Sequence, residues 1–254
     1  MLLVIDVGNT NTVIGIYDGH NLKTKWRIRT VNDSTEDEMG ILIASLFSGK
    51  GIDFSEVDRT IITCVVPPVV HMLNSFCLKY LGHSPHFVHA GSVLNMPLLY
   101  KKPSEIGADR IVNAVAAFYK YKTGLVVIDF GTATTFDSIS EKGEYLGGAI
   151  SPGLITASEA LFAKASKLPM VDLFVPPGNV IGKDTITSIR SGIIYGYAGL
   201  VDGIVSRIKC EMDSDPLVVA TGGLCSIIKD FAHSIDAIEP DLTLYGLCII
   251  GNGL

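Results

Sequence analysis

The chain alternates short, unbroken apolar runs with clusters of Gly, Asn, Asp and Thr, and one run-and-turn unit occurs twice. Leu3-Val4-Ile5-Asp6-Val7-Gly8 opens the chain, and Val126-Val127-Ile128-Asp129-Phe130-Gly131 repeats it near the middle. An apolar run of four or five residues suits a central strand. The glycine that follows permits a tight turn, which Asn or Thr can tolerate or cap. The match continues beyond the turn, where Asn11-Thr12 aligns with Thr134-Thr135 at the same offset. Each copy therefore predicts a hairpin: buried strand, Asp-x-Gly, then a second strand rich in β-branched residues.

The remaining pattern fits two duplicated α/β halves, residues 1–121 and 122–254, joined near Tyr121-Lys122-Thr123-Gly124 with no Pro/Ser-rich linker. In the first half, Thr12–Tyr17 and Leu22–Ile28 read as further strands of a meander. Thr35-x-x-Glu38 is a capping box that opens a helix with apolar residues at Met39, Leu42, Ile43 and Leu46. Arg59–Val66 reads as a strand, and Pro67-Pro68 stops it and starts a helix through Val69, Leu73 and Phe76. In the second half the spacing predicts strands over Phe136–Ile139 and Tyr145–Ile150. Helices are expected near Leu154–Phe162 and from about Thr185 to Ile208, and a late strand over Leu217–Ala220.

Composition narrows the function classes. With 48% hydrophobic and 18% charged residues there is ample material for a packed core. A net charge of -6 leaves no basic face for long nucleic acid, yet backbone amides and metal ions can still hold a nucleotide. Five cysteines without CxxC spacing argue against a disulfide framework or zinc site, so a reducing cytoplasm is the simplest home. Mean hydropathy is high at +0.39. Even so, the best apolar stretch, Gly192–Val205, is short and carries Asp202, so it reads as a buried helix and not a membrane span. His83-x-x-His86-x-x-His89 resembles a metal cluster in spacing, but Pro85 and strand alternation favour an ordinary strand and loop.

A hairpin tip lined by backbone N–H groups and small hydroxyls can surround phosphate oxygens. The carboxylate at the strand end can hold a cation against them. Either hairpin alone could be an ordinary turn; two in register, half a chain apart, favour a shared purpose. No lysine lies in the first turn, so it is not a Walker loop.

Asp6-Val7-Gly8-Asn9-Thr10-Asn11-Thr12 resembles the first phosphate motif of the actin, Hsp70 and sugar kinase superfamily. Asp129-Phe130-Gly131-Thr132-Ala133-Thr134-Thr135 resembles its second, and Ala220-Thr221-Gly222-Gly223 its adenosine motif. Within that superfamily the opening Asp-Val-Gly-Asn-Thr resembles the form used by type III pantothenate kinases. So do Gly107-Ala108-Asp109-Arg110, Gly147–Gly153, Gly182–Thr185 and Ser191-Gly192. The resemblance implies an α/β chain of two ribonuclease-H-like halves, the actin-like ATPase fold, with the active site in the cleft between them. It implies transfer of the ATP γ-phosphoryl group to the primary hydroxyl of pantothenate, the first step toward coenzyme A.

Site roles follow from the same resemblance. Asp6, Val7, Gly8, Asn9, Thr10, Asn11, Thr12 and Val13, with Thr132, would bind ATP. Asp6 would anchor magnesium through water, and Asp129 a monovalent cation, potassium or ammonium. Asp109 would be the base, although the bare motif by itself favours a helix cap with Arg110 as its surface ion pair. Tyr100, Gly107, Ala108, Asp109, Arg110 and Thr185 would contact the acceptor. The resemblance further implies a homodimer, to which the face of Gly192, Tyr195, Gly196, Gly199 and Gly203 could contribute. Two other readings remain at this point: a kinase for another small alcohol or acid, and an ATP-binding regulator without catalysis.

Overall fold

The computed structural model describes residues 1–92, 96–165 and 168–253. It divides into two compact units. The first contains β1 (Leu2–Val7), β2 (Asn11–Asp18), β3 (Asn21–Arg29), α1 (Glu36–Ser48), β4 (Arg59–Cys64), α2 (Val70–Phe76) and β5 (His86–Phe87). Helix α3 (Ala108–Tyr121) follows. The second unit contains β6 (Leu125–Phe130), β7 (Ala133–Ile139), β8 (Tyr145–Pro152), α4 (Leu154–Lys164), α5 (Thr185–Met212), β9 (Leu217–Thr221), α6 (Cys225–Lys229) and β10 (Ala237–Ile238). Helix α7 (Leu242–Asn252) ends the chain.

The duplication extends to topology. The first sheet runs β3-β2-β1-β4-β5 and the second β8-β7-β6-β9-β10. In each, an antiparallel meander of three strands precedes two parallel additions. The apolar run of β1 is explained by burial on both faces. Leu3, Ile5 and Val7 pack with Ile43 and Phe47 of α1 and Leu73 and Phe76 of α2. Leu2 and Val4 point the other way, onto Leu244, Leu247 and Cys248 of α7. In the second unit, Val126, Ile128 and Phe130 pack with Ile194, Val201 and Val205 of α5.

Register corrects the repeat alignment past the turn. Val7 pairs with Thr12, whereas Phe130 pairs with Thr134. The second turn is one residue shorter, so Thr12 corresponds to Thr134 and not to Thr135. Local signals are placed as expected. Thr35 caps α1, its hydroxyl accepting from Glu38 N at 3.3 Å while Glu38 Oε2 accepts from Thr35 N at 2.7 Å. Strand β4 stops at Cys64, two residues before the expected Val66, and a 3₁₀ turn over Pro67–Val69 leads into α2.

The compact units depart from a division at 121/122 in three places, the first being that residues 117–121, the end of α3, fall in the second unit. Residues 97–100 fold with the second unit, because Leu99 N donates to Tyr145 O and Tyr145 N donates to Pro97 O, both at 2.8 Å. Helix α7 returns to the first unit, where Leu244, Leu247 and Cys248 cover the far face of β1 and β4. The histidine series holds ordinary partners: His83 Nε2 pairs with the Thr60 hydroxyl at 2.9 Å and His86 Nε2 with that of Ser92 at 3.3 Å. Among the described residues no group of three His, Cys, Asp or Glu could hold a metal ion, and no helix is long and apolar enough to cross a membrane.

Candidate active site

The first turn links β1 to β2. Asp6 is half-buried at the strand end, and Gly8 N donates to Asn11 O at 3.0 Å to close the turn. The side chain of Val7 is buried under α1 and α2, and Val13 packs on the opposite face. Thr12 is also buried. The buried side chains of Val7 and Thr12 leave chiefly backbone at the turn, and Val13 is partly buried. Asn9 and Thr10 form the exposed tip, with Asn11 partly exposed beside them. A ring of amides and small polar groups at the end of a hairpin is suited to phosphate oxygens.

The second turn links β6 to β7. Gly131 N donates to Ala133 O at 3.1 Å, and Thr132 stands exposed at the tip. The carbonyl of Thr132 accepts from Gly153 N at 3.0 Å and from Thr156 Oγ1 at 2.8 Å, which fixes the tip to the start of α4. Asp129 is half-buried below it. Gly222, at φ +91°, lies against that carboxylate: a Cβ there would stand 2.6 Å from Asp129 Oδ1 and 2.6 Å from Phe130 O. The Asp129 carboxylate and the Phe130 carbonyl oxygen thus both lie against Gly222.

Gly107-Ala108-Asp109-Arg110 forms the entry to α3. Asp109 lies in its first turn, where an anion is favoured by the helix N-terminus. Its Oδ1 accepts from Arg110 N at 2.8 Å. Burial raises its pKa above the usual carboxylate value, and that amide and the Arg110 charge pull it only partly back. A Cβ on Gly107 would stand 2.5 Å from Asp109 Oδ1, so the glycine leaves room for the carboxylate. Arg110 is buried, which removes the reading of Asp109 and Arg110 as a surface ion pair.

Tyr100 lies in the second unit. Its ring stands edge-on to Tyr145 at 6.3 Å and covers Gly147, and its partly exposed face remains available. Thr185 opens α5 behind the Asp184 cap. It borders an open hollow of about 780 Å³ lined by Lys183, Ser188, Ile189 and Leu161. The expected residues thus fall into two turns, one helix entry, one aromatic surface and one helix cap. The supporting residues Gly153, Thr156 and Gly222 carried no role from spacing alone, although Gly153 and Gly222 stood inside recognised motifs.

Residues 2–207 match the family described as type III pantothenate kinase. The type III pantothenate kinase of Desulfatibacillum aliphaticivorans is 59% identical over 250 residues, covering 98% of this chain and 97% of that protein. Among solved structures, a Streptomyces griseus ROK family glucokinase, determined with glucose and AMPPNP, aligns with TM-score 0.58 at 11% identity. It covers 100% of this chain and 99% of that one. A Campylobacter jejuni protein described as a Baf family transcriptional activator aligns with TM-score 0.61 at 18% identity, covering 99% and 98%. At such identities the structural likenesses establish the sugar-kinase and actin-like fold alone. Carried by the full-length sequence match, the chain belongs to the type III pantothenate kinase family.

Proposed function

We infer that this protein transfers the γ-phosphoryl group of ATP to the primary hydroxyl of pantothenate, giving 4'-phosphopantothenate and ADP. The observation that carries the reading is a partly buried carboxylate with a raised pKa at the α3 entry, in a chain of this family. The acceptor oxygen attacks the γ-phosphorus, the bond to the β–γ bridging oxygen breaks, and the acceptor proton passes to Asp109. Such transfers go through a loose transition state, so alignment and charge neutralisation do most of the work. Desolvation makes Asp109 a stronger base than an exposed carboxylate.

In this reading Asp6 to Val13 bind the phosphates, mainly by backbone, and Thr132 adds an exposed hydroxyl. Asp6 would hold Mg²⁺ through water; magnesium, when bound, neutralises charge on the β- and γ-phosphates. Gly107 and Ala108 let the acceptor approach the backbone, and Arg110 offers a planar fork to a carboxylate. Tyr100 supplies a flat surface for an aliphatic chain, and Thr185 a hydroxyl. ADP release measured over a panel of small hydroxy acids tests the acceptor. Turnover with pantothenate well above the panel supports the assignment, and equal or better turnover with another acid would move it.

Asp129 would hold potassium or ammonium, a role supported by its oxygen surroundings. Asp129→Ala is expected to abolish the stimulation of turnover by potassium; a stimulation equal to wild type would move the cation elsewhere. We also propose a homodimer. Gly192, Gly196 and Gly199 expose one face of α5, and a Cβ on any of them would meet nothing within 4 Å. Light scattering at twice the 27.2 kDa chain mass is expected, and a monomer mass would exclude it. The five free thiols suit a reducing cytoplasm.

A further inference from the structure

We propose that Thr30 and Tyr197 are positioning residues, each fixing one phosphate turn through a directed chain of hydroxyl groups. The proposal rests on the reading of the two turns as ATP-binding.

In the first unit, Thr30 follows the end of β3, far in sequence from the turn it touches. Its N–H donates to Thr10 O at 3.1 Å, and its hydroxyl donates to Gly8 O at 2.7 Å. A hydroxyl has one proton. With that proton given to Gly8, the 2.9 Å contact between Thr30 Oγ1 and Thr12 Oγ1 must be donated by Thr12. The chain runs from Thr12 through Thr30 to the Gly8 carbonyl and closes the turn across its base.

The second unit has a related device built from different residues, anchored on the last carbonyl of β8 instead of on the turn itself. Thr134 takes the place of Thr12, opposite the last residue of the central strand. Its hydroxyl is bonded to Tyr197 OH, and Tyr197 OH donates to Pro152 O at 3.0 Å. The direction is again fixed, from Thr134 through Tyr197 to a carbonyl. At the position equivalent to Thr30 stands Gly153, whose N–H likewise donates to the turn, at Thr132 O. No side chain fits there, because a Cβ would meet Gly131 O at 2.3 Å and Thr132 O at 2.5 Å. The hydroxyl lost from the strand end is therefore supplied by α5.

In both copies the threonine at the turn's closing pair is held through a second hydroxyl to a main-chain carbonyl, Gly8 O in the turn in one and Pro152 O of β8 in the other, which points to selection for the turn's shape. They also commit the Thr12 and Thr134 protons to the protein, so neither hydroxyl donates to a phosphate. Loosening either chain lets the turn carbonyls and amides rotate, which weakens nucleotide binding before it affects the acceptor.

The test compares wild type with Thr30→Val, Thr30→Ser and Tyr197→Phe. The measurements are the Kd of a non-hydrolysable ATP analogue with Mg²⁺, and the KM values for ATP and pantothenate. Thr30→Val is expected to weaken analogue binding and raise the ATP KM about five- to tenfold, the range of one lost buried hydrogen bond. The pantothenate KM should stay within about twofold, and Thr30→Ser should restore the wild-type values. Tyr197→Phe should shift in the same direction. Analogue binding unchanged in both Thr30→Val and Tyr197→Phe overturns the proposal, as does Thr30→Ser binding as poorly as Thr30→Val. Should Thr30→Val fail to fold, the near-isosteric Tyr197→Phe decides alone. Wild type that binds the analogue but does not phosphorylate pantothenate would defeat the acceptor assignment and leave this test standing.

Discussion

Asp109→Asn is expected to lower kcat by about 10²–10³-fold with little change in ATP affinity, within the range general-base help supplies. The asparagine keeps the shape of the side chain, and its Oδ1 can still accept from Arg110 N, as the carboxylate does at 2.8 Å. What is lost is the site for the proton. The sign of the pH dependence follows from the raised pKa of Asp109. The base must be ionised, so wild-type kcat/KM should fall as pH drops through that raised value. The limb should lie above the ordinary carboxylate range and vanish in the variant. Stability should move the opposite way. A carboxylate whose folded pKa is raised above its unfolded value costs stability once pH exceeds the unfolded value. Asparagine removes that cost, so the melting temperature at neutral pH should hold or rise. Normal turnover would show that Asp109 is not the base; a fall in both turnover and melting temperature would make its role structural.

Gly222→Ala is expected to destabilise the second unit by about 2–5 kcal/mol, adding backbone strain to overpacking. The residue sits at φ +91°, where L side chains are rarely found. Its Cβ would be 2.6 Å from Phe130 O and 2.7 Å from Phe130 N, and these are backbone atoms of the central strand that cannot swing aside. Asp129 Oδ1, also 2.6 Å away, would have to move as well. For a chain of this size the loss corresponds to a fall in melting temperature of roughly 5–15 °C. The response to potassium should weaken with it. Gly178→Ala is the matched control, since a Cβ there meets nothing within 4 Å. Equal melting temperatures for the two variants would mean that Gly222 is not packed against Asp129 as described.

The sheets were legible because their signals are local. The run Leu2–Val7 had to be buried on both faces, and Thr35 with Glu38 announced α1 through bonds three residues apart. Helix α7 was missed for the opposite reason. Leu242, Leu244, Leu247, Cys248 and Ile250 are all buried, so the helix is apolar nearly all round and shows no amphipathic period. The exchange of residues 97–100 into the second unit depends on pairing with Tyr145, which no local pattern encodes. At the site, the carboxylates Asp6, Asp129 and Asp109 stood out by motif. Their surroundings did not: the burial of Arg110, the contact of Gly222 with Asp129, and the hydroxyl chains through Thr30 and Tyr197 join residues far apart in sequence. The one-residue difference between the two turns was hidden by the Thr-rich stretch, where Thr134 and Thr135 both offer a match to Thr12.

The most direct test is to identify the product by mass after incubating the purified protein with ATP, Mg²⁺, potassium and pantothenate. Pantothenate heavier by one phosphoryl group is expected, formed one-for-one with ADP by wild type and barely formed by Asp109→Asn. Folded, ATP-binding protein that leaves pantothenate unmodified would contradict that expectation.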